Sequence, residues 1–309
     1  MALKFRVFLH SYLGFNSNST LIYGEKDAIL IDASQRLSDT HRMVAEIIPM
    51  RRNLTHIYVS HFHPDHHFGL QVLKYAFPKA RIVALPSVVK DIIATSSDKI
   101  ELWAIDRFGP DDIPRQTTIP EPLDEPRMEL EGEEILVSDN WEGDSVNNSV
   151  VWIPSIRVVC ATDVAFHDCH LWPIESNVAR RVRWRASIAK LKEFGARIVI
   201  PGHCDEAKIH LMEEAQENKS LSYTECIDWS LQYLDNYEEV YNTARTGAEM
   251  VEAMNRLYPN VKAEDFAIHW QARLLFPRSS PDWLTPLPGK PGKIFLNPRG
   301  EYDGDPPRE

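Results

Sequence analysis

The chain has 309 residues, 43% of them apolar and 10% aromatic, enough to bury a sizeable core and too apolar for a disordered chain. Its 34 basic residues against 45 acidic ones give a formal net charge of −11, which argues against nucleic acid or another polyanion as the main partner. No apolar run approaches the ~20 residues of a membrane-spanning helix, and Lys4, Arg6 and His10 interrupt the opening apolar stretch as a cleaved export signal would not allow.

Residues 1–15 read as a first strand, followed by a hairpin of 21–23 and 28–32 around a turn at 24–27. Helical spacing marks 38–50, and a β-branched run at 55–60 reads as a buried strand. A helix over 69–77 stops at Pro78, and 81–85 is strand again. The segment 96–130 is rich in Pro, Asp and Glu without periodicity and is expected to be a long loop over one end of the sheets. Residues 146–153 and 157–162 pair across 154–156. A helix over 182–194 buries Val182, Ile188, Leu191 and Phe194, and 197–200 forms a last strand ending at Pro201-Gly202-His203.

Beyond about residue 215 the pattern is helical, with capping-box spacing at Ser222…Glu225 and Thr246…Glu249 and a third helix over 263–275. The final 33 residues hold eight prolines and four glycines and read as an extended, partly disordered arm. The organisation expected is a core domain over 1–215, a helical extension over 216–276 and a tail over 277–309. Cys160, Cys169, Cys204 and Cys226 form no CxxC pair and read as reduced thiols of a cytoplasmic protein; the sequons at 53–55 and 147–149 are then chance.

Five of the 12 histidines fall between 56 and 67. Any one of them alone would be a solvated or core residue, but the cluster is different. His61 and His63, two apart on extended backbone, aim the same way. Asp65 and His66 open the following helix, whose positive dipole end is expected to keep His66 neutral, as a metal ligand must be. One patch of chain thus offers two donors to each of two adjacent cations. His67 points away from His66 on a helix. Cys204 has no base and reads as a small buried residue.

His61-Phe62-His63-Pro64-Asp65-His66 resembles the HxHxDH motif of the metallo-β-lactamase superfamily, whose fold is a four-layered αβ/βα sandwich. Asp163, in Thr-Asp-Val-Ala-Phe, matches the family's bridging aspartate, and Pro201-Gly202-His203 matches its final turn. Asp32 fits the aspartate that buttresses the histidine loop. The likeness spans residues 5 to 210 and leaves out the C-terminal helices. One departure is Asp144, which stands where the family has the third histidine of the first site. The resemblance implies His61, His63 and Asp144 on one divalent ion, Asp65, His66 and His203 on a second, and Asp163 between them. Zinc is expected, with manganese or iron favoured somewhat by the extra carboxylate. His167 and His170 are alternative ligands, substrate contacts or pocket-wall residues.

Such a pair of cations makes a nucleophile of water and polarises a carbonyl, with Asp65 orienting the water or passing a proton to the leaving group. The activity implied is hydrolytic opening of a small lactone or lactam, cyclic carbamates of the benzoxazolinone type included. Alternatives are a glyoxalase II-like thioesterase, an iron-dependent oxidoreductase or sulfur dioxygenase, and a binding protein that lost catalysis. Trp229, Tyr233, Tyr237, Tyr241 and Trp270 either pack against the sandwich or wall the site for a flat substrate, and such helices can also form a homodimer interface.

Overall fold

A computed structural model describes residues 2–104, 108–261, 265–288 and 295–308. The first sheet contains six strands in chain order, β1 (Lys4–Leu9), β2 (Asn18–Tyr23), β3 (Asp27–Ile31), β4 (Asn53–Val59), β5 (Arg81–Ala84) and β6 (Glu121–Pro122). The β1–β2–β3 part is antiparallel and the β3–β4–β5–β6 part parallel. Ile29, Leu30 and Ile31 of β3, and Ile57, Tyr58 and Val59 of β4, are all buried, the continuous apolar run of parallel strands covered on both faces. The second sheet runs in the order β11 (Ile198–Cys204), β10 (Val158–His167), β9 (Asn148–Ile153), β8 (Glu133–Trp141) and β7 (Arg127–Leu130).

One apolar core fills the space between the sheets, and helices cover their outer faces in an αβ/βα sandwich. The helices with the first sheet are α1 (Leu37–Ile47), α2 (Pro64–His67), α3 (Leu70–Ala76) and α4 (Pro86–Trp103). Those with the second are α5 (Val178–Lys190) and α7 (Glu225–Thr243), while α6 (Glu206–Glu217) touches both β1 and β11, and α8 (Gly247–Leu257) and α9 (Asp265–Leu275) follow. Among the described residues no helix is long and apolar enough to cross a membrane.

Several expectations need correcting. The first strand is only β1, because the chain turns through a short 3-10 helix at Tyr12–Gly14; Met1 lies outside the described residues. The stretch expected to be a loop from residue 96 begins inside α4, and β6, β7 and the edge of a hairpin with β8 follow it. Its buried positions Val88, Ile92, Thr95, Lys99 and Leu102 have helical spacing, but a lysine and two hydroxyl side chains (Thr95 and Ser96) on that face hide the pattern. Residues 105–107 lie outside the described residues. Helix α5 starts at Val178, not 182, and Val182 is exposed; its buried face carries Arg180, Arg181, Trp184 and Ile188.

Thr246 accepts from the Glu249 amide as its spacing predicts, whereas Ser222 caps nothing. Tyr223 is instead drawn into pairing with Ile198 and Val199, so α7 starts after Thr224 without a side-chain cap. The third C-terminal helix is α9; residues 262–264 of the expected span lie outside the described residues. The tail, described over 277–288 and 295–308, is packed rather than loose. Leu284, Phe295 and Asn297 are buried, and Asp305 meets the fully buried Arg181 at 2.7 Å.

Candidate metal centre

Strand β4 ends at Val59, and the chain leaves the sheet as Ser60-His61-Phe62-His63 before Pro64 starts α2. Proline suits that first helical position because its missing N–H would have had no partner there. The turn delivers His61, His63, Asp65 and His66 to the open end of the sheets. Asp144 arrives from the β8–β9 loop, Asp163 from β10 and His203 from β11.

These side chains converge on two buried groups that share Asp163, namely His61, His63, Asp144 and Asp163, and Asp65, His66, Asp163 and His203. In the first, His63 Nδ1 is 2.6 Å from Asp144 Oδ2, and His61 Nε2 is 3.9 Å from Asp144 Oδ1 and 3.5 Å from Asp163 Oδ2. In the second, His66 Nε2 is 3.3 Å from Asp65 Oδ2 and 3.2 Å from Asp163 Oδ1, and His203 Nε2 is 3.2 Å from both Asp65 Oδ2 and Asp163 Oδ2. His61 Nε2, His66 Nε2 and Asp163 Oδ1 are buried and make no hydrogen bond of good geometry. Such crowded, inward-facing donors fit cations, since the same atoms would otherwise sit buried and unsatisfied.

The opposite edges of the rings are anchored, as metal-binding histidines require. His66 Nδ1 is 2.9 Å from Asp32 Oδ2, and Asp32 also accepts from the Ser60 amide and hydroxyl at 2.7 Å each. Ser60 Oγ in turn lies 2.9 Å from His61 Nδ1, and His203 Nδ1 is 2.8 Å from the Phe15 carbonyl. His63 Nε2 faces Glu175 Oε1 at 3.3 Å, and Glu175 also accepts from the Trp172 indole at 3.3 Å.

Charge explains the ionisation of the set. Burial alone would lower His63, but the carboxylates of Asp144 and Glu175 outweigh it and raise its pKa to about 9. His66 is likewise disfavoured as a cation by burial, yet Asp163, Asp65 and Asp32 hold it well above the usual range. In the ion-free chain these three carboxylates outweigh the dipole of α2, which is one turn long. For Asp65, burial is overcome by His66 and His203, which keep the carboxyl ionised.

Other sequence candidates fall elsewhere. His167 Nδ1 pairs with Tyr223 Oη at 2.6 Å and His170 Nδ1 with Tyr233 Oη at 2.8 Å, and neither joins the two groups. His67 turns back to the Phe62 carbonyl, and burial pushes the Cys204 thiol up to about 12. Tyr233 and Tyr237 pack inside the protein, with Arg181 lying over Tyr237 and Tyr241, so α7 does not wall the site. A cleft above the ligands is instead walled by Phe15, Trp103, Trp172 and Phe266, with Gln35 and Lys99 among them. Sequence reasoning missed Glu175, Lys99 and these aromatic residues. A lysine four residues before a tryptophan, on the buried stripe of α4, was the one available signal.

The family model of the metallo-beta-lactamase superfamily matches residues 12–203. Among solved structures, BLEG-1 B3 metallo-beta-lactamase is 15% identical, with a TM-score of 0.52 over 65% of this chain and 91% of that one. FIM-1 from Pseudomonas aeruginosa, in its mono-zinc form, is 13% identical, with a TM-score of 0.50 over 76% and 96%. These two show the fold alone. A metallo-beta-lactamase from Pontibacter korlensis is 15% identical, with a TM-score of 0.47 over 71% and 87%. Comparison with curated proteins finds no match. A match over most of the chain, ending at the last histidine of the gathered set, places this protein in the metallo-beta-lactamase superfamily.

Proposed function

We propose that the protein is a metal-dependent hydrolase that opens a small cyclic amide or ester. The observation that carries this reading is the pair of buried ligand groups joined at Asp163 beneath an aromatic cleft. In it, His61, His63 and Asp144 would hold one divalent ion, Asp65, His66 and His203 would hold the other, and Asp163 would be shared by the two groups. Bound there, such ions lower the pKa of water toward neutrality and polarise a carbonyl.

The chain's own residues supply the rest. Asp65, kept ionised by His66 and His203, can only accept a hydrogen bond, so it orients the attacking water. Asp32, Ser60 and Glu175 fix the rings, which removes reorganisation during turnover. Phe15, Trp103, Trp172 and Phe266 exclude bulk water and stack on a flat substrate. Zinc suits the histidines, and Asp144 keeps manganese or iron compatible.

Elemental analysis of protein purified without chelator, followed by assays on lactones, lactams, thioesters and phosphodiesters, tests the reading. The expected outcome is close to two equivalents of metal per chain and turnover of a lactone or lactam. Exclusive turnover of phosphodiesters would overturn the substrate class, and exclusive turnover of thioesters would replace it with the thioesterase alternative.

A further inference from the structure

Three polar side chains around the cleft have no use in the hydrolysis just described. Lys99 on α4 is 3% exposed; its Nζ lies 4.6 Å from the centre of the Phe62 ring, and among the described residues no carboxylate comes within 4.0 Å of it. The carboxylates in its vicinity are taken. Glu175 and Asp144 face His63, and Asp65 faces His66 and His203. One turn further along α4, Trp103 is 5% exposed and its buried indole N–H has no hydrogen-bond partner among the described residues. Gln35, in the loop after β3, is fully buried, and both its amide atoms are without a partner among the described residues.

All three line the same cleft, beside the rings of Phe15, Trp172 and Phe266. Native proteins rarely leave buried polar groups unsatisfied, and here an indole N–H and a carboxamide are left so on the cleft that also holds an ammonium with no carboxylate in ion-pair range. An acceptor from outside the chain accounts for them, and a cation among the donors selects a charged one.

We propose that Lys99, Trp103 and Gln35 form a subsite for a carboxylate carried by an aromatic ring, so that the substrate is a flat aromatic acid. The inference rests on the hydrolase reading only for which bond is opened. The carboxylate meets Lys99 as an ion pair and accepts from the Trp103 indole and the Gln35 amide, while the ring lies among Phe15, Trp172 and Phe266. The cyclic amide or ester is then held at its opposite end, toward the metal ligands.

The test is calorimetric titration of the full chain with benzoate, and separately with benzyl alcohol as the uncharged analogue. It is done on protein as purified and again after dialysis against chelator, so that benzoate on the metals is told apart from benzoate on Lys99. The chelated protein should bind benzoate about tenfold more tightly than benzyl alcohol, the value of a charge-assisted contact. Lys99→Met should erase that preference and leave benzyl alcohol within about twofold. Equal affinities in the wild type, a preference seen only with metal present, or a preference that survives Lys99→Met would each overturn the subsite. Should Lys99→Met lose its near-UV circular dichroism, Trp103→Phe decides, because it keeps the ring and removes the donor. Benzoate alone weakened by about threefold or more supports the proposal, and no change refutes it. These readouts need neither metal nor turnover, so an inactive protein that passes them would sink the hydrolase reading and leave the subsite standing.

Discussion

Asp144 brings a carboxylate oxygen to 2.6 Å from His63 Nδ1, within reach of any ion that this imidazole would hold. Replacing Asp144 with Ala should reduce bound metal by about one equivalent in elemental analysis; full occupancy would remove Asp144 from the set. Protons compete for the same nitrogens. Metal uptake at neutral pH must displace protons from His63 and His66, so calorimetry in buffers of different ionisation enthalpy should show release, and affinity should rise with pH. The metal-free chain responds in the opposite sense. His63 has its pKa raised from 6.5 to about 9, so its pairing stabilises the fold fully below 6.5 and is lost as the pH rises through about 9. Melting of chelated protein should therefore fall over that window, and a flat profile would refute the charge state assigned to His63. At this scale the gathering of the donors was legible, since four of them crowd into six consecutive residues. Glu175 and Lys99 were not, because an isolated charge in sequence carries no record of its burial.

Strands β10 and β11 must come unusually close where their ligands emerge. A Cβ placed on Gly202 would lie 1.9 Å from Asp163 Oδ1 and 2.6 Å from the Thr162 carbonyl carbon. Only glycine allows this approach, so Gly202→Ala should displace the shared aspartate and lower the affinity of both metal sites by about 10–100-fold, while unfolding in urea shifts far less. Equal loss of both properties would make Gly202 a packing residue. Thr162, just before Asp163, has φ 49° and is held there by a 2.8 Å hydrogen bond from its hydroxyl to the Ser149 carbonyl. Strands with continuous apolar runs were legible, as in β4. Helix α4 was not, because its buried stripe carries the polar groups that face the cleft; β6 is only two exposed residues, and β7 alternates over just four.

Across the whole molecule, the C-terminal residues complete what the sandwich begins. Arg181 is fully buried between Glu238 and Asp305, and Arg180 reaches Glu142 and Asp303, so the last described segment is tied to α5 by charge. Asp305→Ala leaves the buried Arg181 with Glu238 as its one close carboxylate and should destabilise the fold by about 1–3 kcal/mol in urea titration without changing metal content. Loss of metal would instead tie the segment to the ligands. The proline-rich composition suggested a loose arm because nothing in it shows that an aspartate will find a buried arginine. Phe295 packs behind Trp172 and Trp270, and Phe266 stands at the cleft itself, whereas all seven ion-facing residues lie between His61 and His203. During synthesis all the donors therefore leave the ribosome before Phe266, and the nascent protein passes through a stage that has every ion-facing side chain yet lacks the last piece of the surface that would grip a ring.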